Sequence, residues 1–310
     1  MKNKTSIVTG GSGFIGSHLV EALIKDGQRV VVIDKQKPDK NRKINDRHVK
    51  YQIMDVRDPK LASAFKKIKP EAVYHLAAHI DDRESVREPV MNADNNILGT
   101  INVCEATSAS KAKKLVFASS CAAYGIQKKL PVNESMDAKP MTPYGYSKLA
   151  GEWYLDFFNR ERGLSTVALR FGNVYGPRQD SSAESGVITV FTNRLLKGEK
   201  AFINNDGKTT RDYVYVGDVV NALVQAGKSS YVGFANVGTG IETRTDKIYK
   251  MVSAAVGSKA KPEYRRDVKD LLKCIVLDIG KAKKELKWSP QVDLETGLAR
   301  TVDWYRARLQ

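Results

Sequence analysis

The run Thr9-Gly10-Gly11-Ser12-Gly13-Phe14-Ile15-Gly16-Ser17-His18-Leu19 joins a short apolar segment, Ser6-Ile7-Val8, to an amphipathic stretch from Phe14 to Lys25. Strand, glycine turn and helix in that order leave few folds open. Glycines at 10, 13 and 16 let the backbone turn tightly, approach a pyrophosphate and bring the helix close to the sheet. The helix start then offers free N–H groups and the positive end of its dipole to phosphate. A second apolar run, Arg29-Val30-Val31-Val32-Ile33, ends in Asp34. A carboxylate there binds the adenosine ribose hydroxyls and repels a 2′-phosphate, so the pattern predicts NAD rather than NADP. A glycine turn of purely structural purpose is the competing reading, and it leaves Asp34 without a role.

Strand-like and helix-like segments alternate through the first 170 residues. Strands are expected at Val49-Lys50-Tyr51-Gln52-Ile53, Ala72-Val73-Tyr74-His75-Leu76, Lys114-Leu115-Val116-Phe117-Ala118 and Thr166-Val167-Ala168-Leu169-Arg170. Helices are expected from Leu61 to Ile68, over one long stretch from Asn92 to Ser108, and from Tyr144 to Arg162. Such alternation predicts an α/β fold with a doubly wound parallel sheet of Rossmann type and a ligand at the carboxyl ends of the strands. After Arg170 the pattern loosens, and residues 173–186 are rich in Gly, Pro, Ser and polar side chains. Residues 1–172 are therefore expected to form an NAD-binding domain, with 214–238 returning to it. Residues 173–310 are expected to form, for the most part, a smaller α/β substrate domain.

The chain is 42% hydrophobic and 28% charged over 310 residues, an ordinary globular composition. No apolar run reaches the length of a membrane span, and the start Met1-Lys2-Asn3-Lys4 leaves no room for a secretory signal. Cys104, Cys121 and Cys274 are odd in number and far apart, which suits a reducing cytoplasm. Fifty-one Lys and Arg against 35 Asp and Glu leave a net charge of +16. The basic residues are spread widely and are not interleaved with an aromatic stacking platform, which argues against nucleic acid and for a solvated cationic surface.

Tyr144-Gly145-Tyr146-Ser147-Lys148 places Tyr144 and Lys148 on one helical face, and Thr142-Pro143 marks the helix start. A lysine ammonium near a phenol favours phenolate, so Tyr144 is expected to have a lowered pKa and to serve as general base toward a sugar hydroxyl. Ser119 and Ser120 end the preceding strand, where a hydroxyl can share that proton. Each also reads as a strand-terminal turn residue, and Tyr-x-x-x-Lys also occurs as a plain surface pair. His75 and His79 are four apart, but the run before them is a strand, and His18 and His48 supply no third ligand, so no metal site is expected.

Taken together these stretches resemble the extended short-chain dehydrogenase/reductase family, nearest its nucleotide-sugar epimerase branch. Further matching segments are His75-Leu76-Ala77-Ala78, Asn95-Asn96-Ile97-Leu98-Gly99-Thr100, Tyr124-Gly125, Leu169-Arg170-Phe171-Gly172-Asn173-Val174-Tyr175-Gly176-Pro177-Arg178-Gln179, Arg211-Asp212-Tyr213-Val214-Tyr215-Val216 and Leu286-Lys287-Trp288-Ser289-Pro290. The resemblance implies that Gly10, Gly13, Phe14, Ile15 and Gly16 hold the pyrophosphate and Asp34 the ribose. It gives Asp55 and Val56 the adenine, and Leu76, Ala77, Ala78 and Asn95 the path of the coenzyme. Lys148 would also bind the nicotinamide ribose. Ser120 and Tyr144 would be the catalytic pair and would touch substrate. Asn173 and Arg211 would grip the nucleotide diphosphate, a task suited to arginine's planar fork. The implied reaction is NAD-dependent epimerisation at C4 of a UDP-sugar or related nucleotide sugar through a 4-keto intermediate. UDP-glucose and UDP-galactose lead the candidates, with their N-acetyl analogues beside them, and a homodimer is implied through the helices at 92–108 and 144–162.

Two departures matter. Sugar 4,6-dehydratases of this kind carry an acidic pair after the catalytic hydroxyl residue, where this chain has Cys121-Ala122. Neither side chain is the acid that elimination of water needs. The arginine-then-aspartate element that holds the uridine side corresponds to Arg265-Arg266-Asp267-Val268-Lys269-Asp270, and spacing does not choose between Asp267 and Asp270. If Asp270 binds substrate, Cys274 falls near the position that admits or refuses an N-acetyl group. A reductase, a decarboxylase, an epimerase of another carbon, and a non-enzymatic relative that binds RNA remain alternatives.

Overall fold

The computed structural model describes residues 4–180, 186–266 and 274–308. Its strands are β1 (Thr5–Thr9), β2 (Arg29–Asp34), β3 (Val49–Ile53), β4 (Ala72–His75), β5 (Lys114–Ser120), β6 (Thr166–Phe171), β7 (Asn173–Tyr175), β8 (Phe202–Asn204), β9 (Thr210–Tyr215), β10 (Gly233–Val237), β11 (Glu242–Arg244) and β12 (Glu263–Arg265). Its helices are α1 (Phe14–Lys25), α2 (Leu61–Ile68), α3 (Asp82–Arg87), α4 (Pro89–Ala93), α5 (Gly99–Ala109), α6 (Pro143–Arg162), α7 (Val187–Leu196), α8 (Val216–Lys228), α9 (Thr245–Val256), α10 (Gly280–Leu286) and α11 (Leu294–Arg306).

One seven-stranded sheet runs in the order β10-β6-β5-β4-β1-β2-β3, and every pairing in it is parallel. Its strands read as apolar runs because both faces are covered. Val8, Val32, Val116 and Leu169 pack with Leu19 and Leu23 of α1 and Val219 and Leu223 of α8. Ile7, Ile33, Leu115 and Phe117 pack on the other face with Phe65 of α2, Val103 of α5, and Leu155 and Phe158 of α6. The strand order reverses beside β1, so the crevice between the ends of β1 and β4 is where a ligand fits.

A three-stranded sheet, β11-β9-β7, and a parallel pair, β12-β8, are built from the later part of the chain. Their core joins Ile188, Phe191 and Leu195 of α7 to Ile248 and Val252 of α9 and Leu298 of α11. β10, although late in sequence, pairs with β6 in the large sheet.

The long helix expected from Asn92 to Ser108 is not continuous. A π-helical turn, Asp94–Leu98, separates α4 from α5. One extra residue in that turn places two adjacent asparagines in different surroundings. Asn95 lines the crevice and donates from Nδ2 to the Met91 carbonyl at 2.8 Å. Asn96 is buried and donates to the His79 carbonyl and to Ser147 Oγ, both at 2.9 Å. Such bulges in helices recur at functional sites.

Candidate active site

The glycine turn is as tight as its sequence suggests. Gly10 has φ of 71°, and a Cβ there would lie 2.6 Å from the Ala77 nitrogen. A Cβ on Gly16 would lie 2.2 Å from the Gly10 carbonyl oxygen. α1 starts at Gly13 with no side-chain cap and no acidic residue in its first turn, so its free N–H groups face the crevice without competition from a carboxylate. At the end of β2, Asp34 is held by N–H groups of Ser12 at 3.1 Å and Gln36 at 3.2 Å. Unguarded helix N–H groups, a crevice that tolerates no Cβ and an anchored carboxylate fit a dinucleotide whose ribose carries free hydroxyls.

One cleft brings these residues together. Gly10, Gly13, Phe14, Ile15, Gly16, Asp34, Asp55, Val56, Leu76, Ala77, Ala78, Asn95, Tyr144 and Lys148 all line it. Lys35, Gln36, Ile80 and Phe171 line it too, and sequence reasoning had not singled them out. Two of these directly follow Asp34, and Phe171 ends β6, so their places at strand ends were the available signal. The Asp55 carboxylate is engaged by Arg57 at 2.9 and 2.7 Å, and those hydrogen bonds hold it below the usual carboxylate range.

Thr142 caps α6, accepting the Gly145 N–H at 3.3 Å, and Pro143 occupies the first helical position. Tyr144 therefore sits in the first turn, with its own N–H donated to Ser85 Oγ at 3.2 Å. Lys148, one turn on, donates from Nζ to the Ala118 carbonyl at 2.9 Å. It lies 4.9 Å from the Phe117 ring centroid and 5.7 Å from that of Tyr144. Ser120 Oγ accepts the Ala122 N–H at 3.1 Å, and its hydroxyl is near enough to the Tyr144 phenol to favour the ionised form. Ser119 lines the cleft, while its hydroxyl donates to the buried Glu152 carboxylate.

The expected lowering of the Tyr144 pKa is not what the protein alone produces. Burial pushes the phenol well above its ordinary value, and the nearby Ser120 hydroxyl is the opposing influence. The Lys148 ammonium is turned to a backbone carbonyl, and burial lowers its own pKa to about 8, against the pull of Glu152. Both shifts favour neutral groups in a dry pocket.

Cys121 packs with Tyr124, Val132, Ile275 and Leu277, and burial pushes its thiol up to about 12. His75 is buried in the sheet between Thr9 Oγ1 at 2.7 Å and Thr100 Oγ1 at 3.0 Å, with a pKa lowered to about 3 by burial. It is a neutral spacer in this setting.

Asn173 and Arg211 do not line the coenzyme cleft. They lie on β7 and β9 of the second sheet, where Asn173 registers with Tyr213 and Arg211 with Thr243. Arg211 donates to the Thr210 carbonyl at 2.8 Å, and its charge reaches the Cys121 thiol beside Ser120. Neighbouring Asp212, fully buried, accepts N–H groups from Thr239 at 2.7 Å, Gly240 at 3.1 Å and Leu277 at 3.1 Å. That carboxylate ties three loop residues to the strand carrying Arg211, a role hidden in sequence because its partners are remote. Asp267 and Asp270 lie outside the described residues.

Ser120 is not among the residues that line the cleft. A doubly wound sheet whose crevice holds a glycine turn, an anchored acidic residue and a Tyr-Lys pair defines a dinucleotide-binding protein of the Rossmann class. More narrowly, the chain belongs to the NAD dependent epimerase/dehydratase family, whose model matches residues 6–238. It is similar to UDP-glucose 4-epimerase of Thermotoga maritima, solved with UDP-glucose: 39% identity, 99% of this chain and 100% of that one covered, TM-score 0.95. It is also similar to UDP-N-acetylglucosamine 4-epimerase of Methanobrevibacter ruminantium, solved with UDP-N-acetylmuramic acid: 34% identity, 99% and 100% covered, TM-score 0.94. A third likeness is to UDP-glucose 4-epimerase of Thermus thermophilus, solved with NAD: 37% identity, 97% and 99% covered, TM-score 0.90.

Proposed function

We propose that this chain is an NAD-dependent 4-epimerase of UDP-sugars, with UDP-glucose and UDP-galactose as its first substrates. The observation that carries the reading is the meeting of Tyr144 and Lys148 on the cleft that also holds the glycine turn, with Ser120 beside the phenol at the carboxyl end of β5. NAD supplies a hydride acceptor and donor there. Tyr144 in its phenolate form, which the cationic Lys148 and the positive charge that a bound NAD would bring favour against burial, takes the proton of the C4 hydroxyl and returns it on the opposite sugar face. Ser120, beside the phenol, shares that proton. Lys148, cationic below about pH 8, binds hydroxyls and balances negative charge as it develops. Asn173 and Arg211 hold the diphosphate while the keto sugar turns, so that binding energy kept on the nucleotide serves both faces. Incubation with a panel of UDP- and dTDP-sugars, with product stereochemistry read by NMR, tests this. C4-inverted product from UDP-glucose without net NADH is expected, and a product of changed oxidation state contradicts it.

Dehydration is the weaker reading, because the position that would carry its acid is Cys121, a buried thiol held far from ionisation. If Asp270 binds the substrate, the small Cys274 favours acceptance of N-acetyl sugars; Ile275 and Leu277, just after it, pack with Cys121. Turnover of UDP-N-acetylglucosamine is then expected beside that of UDP-glucose.

The working unit proposed is a homodimer. Leu98, Tyr146, Trp153 and Phe157, from the segment before α5 and from α6, are exposed, a large apolar group for a lone surface. Among the described residues no helix is long and apolar enough to cross a membrane. The three cysteines are free, as fits a cytoplasmic protein.

A further inference from the structure

Tyr144, Lys148 and Glu152 stand at successive turns of one face of α6 and meet three consecutive residues of β5. The Tyr144 phenol lies beside Ser120, Lys148 Nζ donates to the Ala118 carbonyl, and Ser119 donates its hydroxyl to Glu152 Oε1. The third contact is the only one of the set backed by a second strand. Arg170 of β6 holds the Glu152 carboxylate as a fork, Nε to Oε1 at 2.9 Å and Nη2 to Oε2 at 2.6 Å. The two side chains are 3% and 5% exposed. Rings of Tyr124 and Phe234 cover the guanidinium at 4.3 and 4.2 Å from their centroids.

Stability alone is a poor reason for this ion pair. Taking both ions out of water is costly, Arg170 Nη1 is left without a partner, and an apolar pair of similar volume packs such a core equally well. What an apolar pair lacks is direction. The fork fixes the carboxylate, the carboxylate fixes the Ser119 hydroxyl, and the peptide after Ser119 carries Ser120.

We propose that Glu152 is a positioning residue, the third rung of a ladder that sets the register of Tyr144 and Lys148 over Ser120. The inference rests on those three residues being the catalytic group. Lys148 is faced by Tyr144 and Glu152 from its own helix and by His75 from β4; β5 offers it only a carbonyl and the Phe117 ring. Glu152 is the one anion in that set, so it also sustains the ammonium against burial.

Glu152→Gln, Ser119→Ala and the charge-free pair Glu152→Gln with Arg170→Met test the idea in the NAD-bound enzyme with UDP-glucose. For Glu152→Gln, kcat is expected to fall by about 10- to 100-fold, with KM kept within about twofold and the alkaline limb of the kcat profile moved to lower pH. Ser119→Ala is expected to lower kcat by a smaller factor at unchanged Tm. The double variant is expected to regain wild-type Tm while kcat stays low. A double variant with wild-type Tm and wild-type kcat overturns the proposal, because the pair then only filled space. Should Glu152→Gln alone fail to fold, the other two decide. Wild-type kinetics in both, with Tyr144→Phe inactive, removes the ladder and leaves the assigned reaction standing; an active Tyr144→Phe removes the reading beneath it.

Discussion

Tyr144 and Lys148 share a dry corner of the cleft, and burial acts on both proton affinities at once. It raises the phenol and lowers the ammonium to about 8. The sign of the pH dependence follows: Lys148 is charged below its pKa and neutral above, so turnover is expected to decline as pH rises through about 8. A kcat profile that stays flat to pH 10 would contradict a need for the cation. Gly16 gives a second residue-scale expectation. Its Cβ would sit 2.2 Å from a backbone oxygen, so Gly16→Ala must push α1 off the turn. Calorimetric titration is expected to show NAD affinity reduced at least about tenfold, or about 1.4 kcal/mol, and unchanged affinity would mean the pyrophosphate does not lie there. At this scale the sequence was most informative where chemistry needs a particular atom or its absence. The glycines were legible because no other residue type fits so tight a turn, and Asp34 because a carboxylate at a strand end beside that turn is a specific signal. Glu152 and Asp212 were not, since their value comes from partners on other strands.

β5 and α6 form the element pair on which the site depends. The start of α6 was readable in Thr142-Pro143; its end is capped by Gly163 at φ of 64°. Removing the first signal is a clean test. Thr142 accepts the Gly145 N–H and donates to Asp82, so Thr142→Ala is expected to cost about 1 kcal/mol in urea unfolding. It should also lower kcat, because Tyr144 sits in the turn that cap secures; wild-type stability and kcat together would deny the cap that role. The π-turn at Asp94–Leu98 was not legible. No proline or glycine lies within it, and a single added residue barely disturbs the apolar period from which the longer helix was inferred.

For the whole molecule, parallel strands alternating with helices made the class of the large sheet readable, and β10 at residues 233–237 joins that sheet beside β6. The second lobe was harder, since β7, β9 and β11 are three to six residues long and pair across long gaps in sequence. That is also where Asn173 and Arg211 sit, apart from the coenzyme cleft. Oligomeric state belongs to this scale. Trp153 is 66% and Tyr146 58% exposed on α6, and light scattering is expected to give twice the chain mass for the native protein. Trp153→Glu with Phe157→Glu should halve it, and a native monomer would contradict the proposed dimer.

The most direct test of the central claim is turnover of UDP-glucose by Tyr144→Phe in enzyme that still holds NAD. Loss of one phenolic oxygen is expected to lower kcat by about 10²- to 10⁴-fold while bound NAD and Tm stay at wild-type values. A Phe variant that epimerises UDP-glucose within a few-fold of the native rate would contradict the assignment of Tyr144 as the residue that moves the C4 proton.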